Sequence, residues 1–502
     1  MSVADLDRGG DSSIFQDRLA MALVLFGLAI RVLACALIPA GFDEAYYGVY
    51  SLYPAWGYFD HPPAVAVTAG LGRWLTGSYS PLSLRLGALV TFVFSAVLMY
   101  RLTLLLAGRR AARIALFLLH VTPFFLVGMG AFVFPDNALG LFWLLFLMSL
   151  AKVRETGDDK WLLLAGLSLG LALLAKYHAV LLGAAFLYCL VRYPEWRPLL
   201  RSPCLYGGLG IAAICFLPNV YWNYQHHWVS YLYQFGKSAS GVELSPRLFL
   251  AGVLMQVGYI LPLTIWLYVT AIILTIRNKI HAPRWLLPFA VLPIAAFTLI
   301  GATRSIQPHW PMPGYLAGIV LAAVWMAGWQ ALWLKRVFWV TGVAMLLITL
   351  VVPLQAVTGI FPINPKADLT LDGQGWGEVV DRLADQETLR KGNCFLASHK
   401  WFTGGELAYA ARGRFLTTVL NRTDPHGFAF WTNKSDIVGK DAIFVTTERF
   451  PADPKELYGK YFTEYTRLDD IQTFRSGRPA QVFRVWICRN LQKPYPRPYG
   501  ID

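Results

Sequence analysis

Long apolar runs separated by short polar gaps fill the chain from residue 19 to residue 356. About 20 apolar residues cross the hydrocarbon core of a bilayer as a helix. The pattern therefore predicts spans at about 19–39, 82–106, 112–128, 136–151, 161–176, 178–192, 205–221, 249–275, 286–301, 312–330 and 338–356. Tight breaks at 128–136 and 176–178 leave the total at about 11–13 transmembrane helices. Residues 40–80 interrupt this rhythm. There Tyr46, Tyr50 and Tyr53, then Val65, Leu71, Trp74 and Leu75, suit two short helices lying in the interface at about 43–80, broken at Pro62-Pro63. After about residue 356 the spans cease. Short β-rich runs (Asn393–Ala397, Ala442–Thr447, Gln481–Cys488) follow, with helical patterns at Trp376–Ala384 and Glu406–Ala411. The expected architecture is a polytopic α-helical membrane domain, 1–356, followed by a soluble mixed α/β domain, 357–502.

Composition agrees with this pattern and charge gives it a direction. Of 502 residues, 56% are hydrophobic and 15% charged, against about a quarter charged in soluble proteins. The net charge of +14 is concentrated in the apolar part: residues 1–355 hold 24 Lys and Arg against 13 Asp and Glu. Seventeen of those 24 fall on one side of the expected spans, among them Arg109-Arg110, Lys152, Arg154, Arg277 and Lys335-Arg336. That bias is the positive-inside signature, so it reports orientation and gives no reason to expect a nucleic-acid partner. It places the N-terminus in the cytoplasm and the C-terminal domain outside. The first apolar run lacks a small-residue cleavage site and reads as a retained helix. Cys394 and Cys488 in the outer domain are either a disulfide or two free thiols.

Sorting the remaining charges isolates a candidate site. Five acids of the membrane part fall outside: Asp43, Glu44, Asp60, Asp136 and Glu243. They share that face with a few cations (Lys176, Arg304) and with His61, His178, His226, His227 and His309. Carboxylates at the mouth of a membrane helix are costly unless they pair, bind or react. Together these residues are the makings of an acid/base site for an anionic, lipid-borne substrate. The segment Asn219–Trp228 adds aromatic faces and amides of the kind that bind sugars, or else forms an interfacial aromatic belt. No Gly-rich phosphate loop for a nucleotide sugar is present.

Four of these elements carry a family resemblance. Asp43-Glu44 after the first span, Phe59-Asp60-His61-Pro62-Pro63, Phe134-Pro135-Asp136-Asn137 and Pro308-His309-Trp310-Pro311-Met312-Pro313 resemble the C-type (GT-C) glycosyltransferases. Within that class they look most like the protein O-mannosyltransferase and aminoarabinose transferase group. The resemblance implies a GT-C fold and transfer of a sugar, with inversion, from a polyprenyl-phosphate donor to a hydroxyl at the outer face of the inner membrane. The implied acceptor is a membrane glycolipid or polysaccharide such as lipid A or lipopolysaccharide core. A protein O-mannosyltransferase-like enzyme and a lipid-linked-sugar transporter are the alternatives. Asp43 matches the catalytic aspartate, Asp136 the second acidic position, and Glu44 the neighbour of the first. His61, Lys176 and Arg304 are the expected donor-phosphate ligands. They stand in for an Arg and a Lys that some relatives carry where this chain has Tyr46 and His61. For Lys176 a snorkelling interfacial lysine is the competing reading. Tyr46, Tyr47, Asp60, Trp222, Asn223, His227, His309 and Trp310 are expected at the sugar and acceptor. Relatives differ in metal dependence, so a divalent cation, zinc or magnesium, held by Asp60, His227 and His309 stays open.

Overall fold

The described part of the chain begins just ahead of Asp17, whose side chain accepts a hydrogen bond from the Ala20 N–H and so caps the first helix. The computed structural model describes residues 14–239, 244–385 and 392–499; Glu243 lies outside them. Helix α1 (Arg18–Leu37) leads to the short α2 (Phe42–Tyr50) and α3 (Ala64–Thr76), separated by the Pro62-Pro63 turn. Helix α4 (Pro81–Val121) is 41 residues long and breaks at Gly108, where φ 80° and ψ 175° leave the helical region and glycine carries no penalty. The two expected spans at 82–106 and 112–128 correspond to its two halves. Then come α5 (Pro135–Thr156), α6 (Trp161–Ala175), α7 (Val180–Arg192), α8 (Pro203–Gln225) and α9 (Val229–Ala239). Five of the described helices, counting 338–358 as one, are long and apolar enough to cross a membrane singly.

The expected single span at 249–275 is not one helix. It divides into α10 (Pro246–Ile260) and α11 (Pro262–Ile276), bent by 104°. Pro262 has no N–H to give to a continuing helix and excludes the helical conformation from the residue before it. Leu261, the residue before it, is non-helical, at φ 69° and ψ 148°. Helices α12 (Leu287–Ile300), α13 (Met312–Ala327) and α14 (Leu332–Thr358) complete the membrane part.

Past α14 the chain builds a six-stranded mixed sheet: β1 (Cys394–Ser398), β2 (Thr417–Val419), β3 (Asp441–Thr447), β4 (Phe462–Arg467), β5 (Ile471–Arg475) and β6 (Arg478–Leu491). The order is β2-β1-β3-β6-β4, with β5 also pairing with β6. Helices α15 (Trp376–Ala384) and α16 (Trp401–Ala411) cover one face, packing Val379, Leu383 and Leu407 against Leu396, Ile443 and Val485. Cys394 pairs in register with Asp441 and Cys488 with Ala442, so β3 lies between the two cysteines. Two strand spacings, about 9–10 Å, exceed the Cα separation of about 7 Å that a disulfide bridges. Both are free thiols, which settles that alternative.

The two parts meet along α2 and α16. A methyl added at Gly405 would lie 2.9 Å from the Tyr46 Cβ, and one at Gly373 would lie 1.6 Å from the carbonyl oxygen of Ala40. The seam is thus backbone against backbone, and Tyr46, Trp401, Phe428 and Trp431 fill the rest of it.

Candidate active site

The two acids that follow α1 enter the first turn of α2, where unpaired backbone N–H groups favour negative charge. Glu44 is wholly engaged. Its carboxylate accepts from Arg85 Nε at 2.8 Å and Nη2 at 2.6 Å, from the Val133 N–H at 2.9 Å and from the Gly41 N–H at 3.1 Å. Arg85 has no solvent exposure and gives its other donors to the carbonyls of Cys35, Ile38 and Pro39 at the end of α1. One bidentate pair therefore ties α1, α2, α4 and the strand-like segment before α5 together.

Asp43 is placed differently. Among the described residues no side chain hydrogen-bonds or ion-pairs with it. Its carboxylate is exposed on a partly open cavity of about 760 Å³ lined by both parts of the chain. Phe124, Val127, Tyr259, Ile348 and Val352 give the cavity its apolar wall, and Trp401, Phe402 and Asp372 reach it from the C-terminal side. The break at Leu261 opens on it as well. Desolvation by the surrounding side chains pushes Asp43 up to about 6, and the charges of Asp60 and Glu44 act in the same direction, with His426 opposing them.

A polar cluster flanks α2. The Tyr50 hydroxyl donates to the Asp60 carboxylate, Gln234 Nε2 donates to the Asp60 carbonyl at 2.6 Å, and Tyr47 Oη is 3.1 Å from His61 Nε2. Burial works against the ionised form of Asp60, but the nearby His61 and His426 and the Tyr50 hydrogen bond prevail and bring it down to about 2. Tyr46 turns away from the cavity: its hydroxyl accepts from the Gly427 N–H at 2.9 Å. Asp136, in the first turn of α5, forms a buried pair with Lys176, just past α6, at 2.8 and 3.0 Å. His309 lines the cavity, where burial and then Lys176 push it down to about 3 and keep it neutral. Trp310 packs on His178, with ring centres 5.5 Å apart. Arg304 lies half-buried in the turn after α12, its N–H bonded to the Ile300 carbonyl.

The structure does not gather every expected residue. Trp222 is stacked on His226 at 4.0 Å and packed over Gly57, and the Asn223 amide donates to the Asn219 carbonyl. Trp222 therefore covers the 56–61 turn, while Asn223 props Asn219, whose amide donates to the Trp56 carbonyl at 2.9 Å. His227 is exposed, at φ 54°. Asp60, His227 and His309 are not brought together, and among the described residues no three or more His, Cys, Asp or Glu side chains are arranged to hold a metal ion. Conversely, Arg85, Trp401 and His426 belong to the site's surroundings and were not anticipated. Arg85 lies within an apolar run, and the Asp424-Pro425-His426-Gly427 segment reads in sequence only as a turn.

The fold is that of a multi-pass membrane protein of the GT-C type, and the chain is similar to the protein O-mannosyltransferase and aminoarabinose transferase-like family. Residues 60–222 match the family described as dolichyl-phosphate-mannose-protein mannosyltransferase. ArnT from Cupriavidus metallidurans, in its crystal structure bound to undecaprenyl phosphate, shares the fold. Its TM-score is 0.65 at 15% identity, covering 94% of this chain and 98% of that one. Among curated proteins, the lipid A galacturonosyltransferase RgtD of Rhizobium johnstonii is 25% identical over 303 residues, 57% of this chain and 60% of its own. An undecaprenyl phosphate-alpha-4-amino-4-deoxy-L-arabinose arabinosyl transferase of Erwinia tasmaniensis is 27% identical over 198 residues, 36% of this chain and 35% of its own. The chain thus spans 60% and 35% of the lengths of these two relatives.

Proposed function

We propose that this protein is an inverting glycosyltransferase of the inner membrane. It moves a sugar from a polyprenyl-phosphate donor to a hydroxyl of a cell-envelope glycolipid, lipid A or lipopolysaccharide core, on the periplasmic face. One observation carries the reading: of two adjacent carboxylates, Glu44 is consumed by Arg85 while Asp43 faces an amphipathic cavity without a side-chain partner. In this scheme Asp43 takes the proton of the acceptor hydroxyl as its oxygen attacks the anomeric carbon. The bond from that carbon to the phosphate oxygen breaks, and the polyprenyl phosphate leaves with the electron pair. A base pushed up to about 6 is well matched to proton transfer near neutral pH. Lys176, oriented by Asp136, acts with Arg304 and His61 to offset charge on the leaving phosphate. The apolar wall of Phe124, Val127, Ile348 and Val352 suits a lipid chain. The names of the two relatives, a lipid A galacturonosyltransferase and an undecaprenyl phosphate-aminoarabinose arabinosyl transferase, support the same substrate class.

The test is transfer from synthetic polyprenyl-phosphate galacturonic acid, aminoarabinose and neutral hexoses to extracted lipid A and core, read by mass spectrometry. Sugar addition by the wild type and none by Asp43→Asn is the expected result. Transfer to Ser or Thr peptides alone would instead support the protein O-mannosyltransferase reading, for which the family match over residues 60–222 is the motive. Full transfer by Asp43→Asn would remove Asp43 as the base.

A further inference from the structure

His426 belongs to the C-terminal domain, yet its side chain is 6% exposed and sits among side chains of the membrane part. The ring stacks on Trp401 with centres 4.5 Å apart and planes 11° apart, and lies 5.0 Å from the ring of Phe59. Nε2 is 3.0 Å from the Asp424 carboxylate and 3.4 Å from the Tyr233 hydroxyl. Nδ1 points toward Asp60 at 3.7 Å, beyond hydrogen-bond distance, and among the described residues it has no hydrogen-bond partner. The following N–H, that of Gly427, is the donor to Tyr46. If this ring served only to glue the domains together, the aromatic shell would suffice. An imidazole between two carboxylates is a costly filler unless its charge has a use.

We propose that His426 is a positioning residue through which the C-terminal domain completes the active site, its imidazolium holding Asp60 and the Phe59–His61 turn in place against α2. The inference rests on the reading of the Asp43 cavity as the catalytic site. Asp60 is then fixed from three sides: by Tyr50, by Gln234 and by the cation. The groups that face His426 are known from every element around it: Asp43 and Tyr46 of α2, Asp60 and His61 of the turn, Tyr233 of α9, and Asp424 and Tyr499 of its own domain. Burial opposes the charge on His426, but Asp424 and Asp60 outweigh it and hold the imidazole above the usual histidine range. The clasp is therefore fully present below the ordinary histidine range and is lost as pH rises through that raised value.

The experiment uses the full chain in detergent, comparing wild type with His426→Phe, which keeps a ring on Trp401 and removes the charge. Hydrogen–deuterium exchange of the 52–63 peptide is followed from pH 6 to pH 9. The wild type is expected to lose protection on alkalinisation, and His426→Phe to lack it at both ends. In transfer assays the acid limb of the kcat/KM profile of His426→Phe is expected to move up by about one pH unit, because a cation near Asp43 has gone. Wild-type exchange together with an unmoved acid limb overturns the proposal, even if kcat falls, since a ring that only packs would behave in that way. Should His426→Phe not fold, Asp424→Asn weakens the same cation from the outer side and is expected to shift both readouts in the same direction by less. The exchange arm needs no substrate, so a failure to detect transfer with any donor would count against the proposed function and leave the role of His426 decided separately.

Discussion

Asp43 and Glu44 are neighbours in the chain, about 100° apart around α2, and they live in different chemical worlds. Glu44 is buried, accepts four hydrogen bonds and neutralises a guanidinium with no exposure. Asp43 has an open cavity on one side and like charges within reach. The same functional group thus builds a joint in one position and stands ready for a proton in the next. What separates them is the partner each helix face meets.

The sharpest way to break that contrast is to neutralise each acid. Asp43→Asn is expected to cut transfer by on the order of 10³-fold, the middle of the range for a general base. It should not lower the unfolding temperature. An aspartate whose folded value is raised is destabilising once ionised, so above pH 6 this variant should be the more heat-resistant protein. Glu44→Gln is expected to do the reverse: it leaves Arg85 buried without its counter-charge, at a cost of about 3–5 kcal/mol in chemical unfolding. Molecules that remain folded should keep most of their turnover. A stable but inactive Glu44→Gln would erase the distinction. More modestly, transfer by the wild type should fall about tenfold per pH unit below about 6, as Asp43 takes up its proton. The smallest effect belongs to Tyr46→Phe, which removes the acceptor of the Gly427 N–H and should cost about 1 kcal/mol of stability with little change in the pH profile.

How far the sequence could be read follows from these partners. The acidic pair stands out because an apolar run ends on it, and the 42–50 and 64–76 helices follow from aromatic spacing and Pro62-Pro63. That Asp136 and Lys176 lie at the same end of their helices was also legible, since each sits at the end of a span; their pairing needed the α5–α6 hairpin to bring residues 40 apart together. Arg85 was hidden by its setting: in an apolar run a single arginine does not announce which carboxylate it will meet. The break at Leu261 was hidden by averaging, because hydropathy over a window ignores that Pro262 cannot continue a helix. Trp222 and Asn223 looked like sugar ligands because composition cannot distinguish an aromatic face that is free from one already stacked.

The glycine seam has a consequence for how such proteins can be recombined. At Gly373 a single methyl would meet the Ala40 carbonyl at 1.6 Å, and at Gly405 another would crowd the Tyr46 backbone. The soluble half is therefore not an interchangeable module. A chimera that joins this membrane half to a relative's C-terminal domain should assemble only if the graft brings a bare backbone to both positions, whatever its resemblance elsewhere.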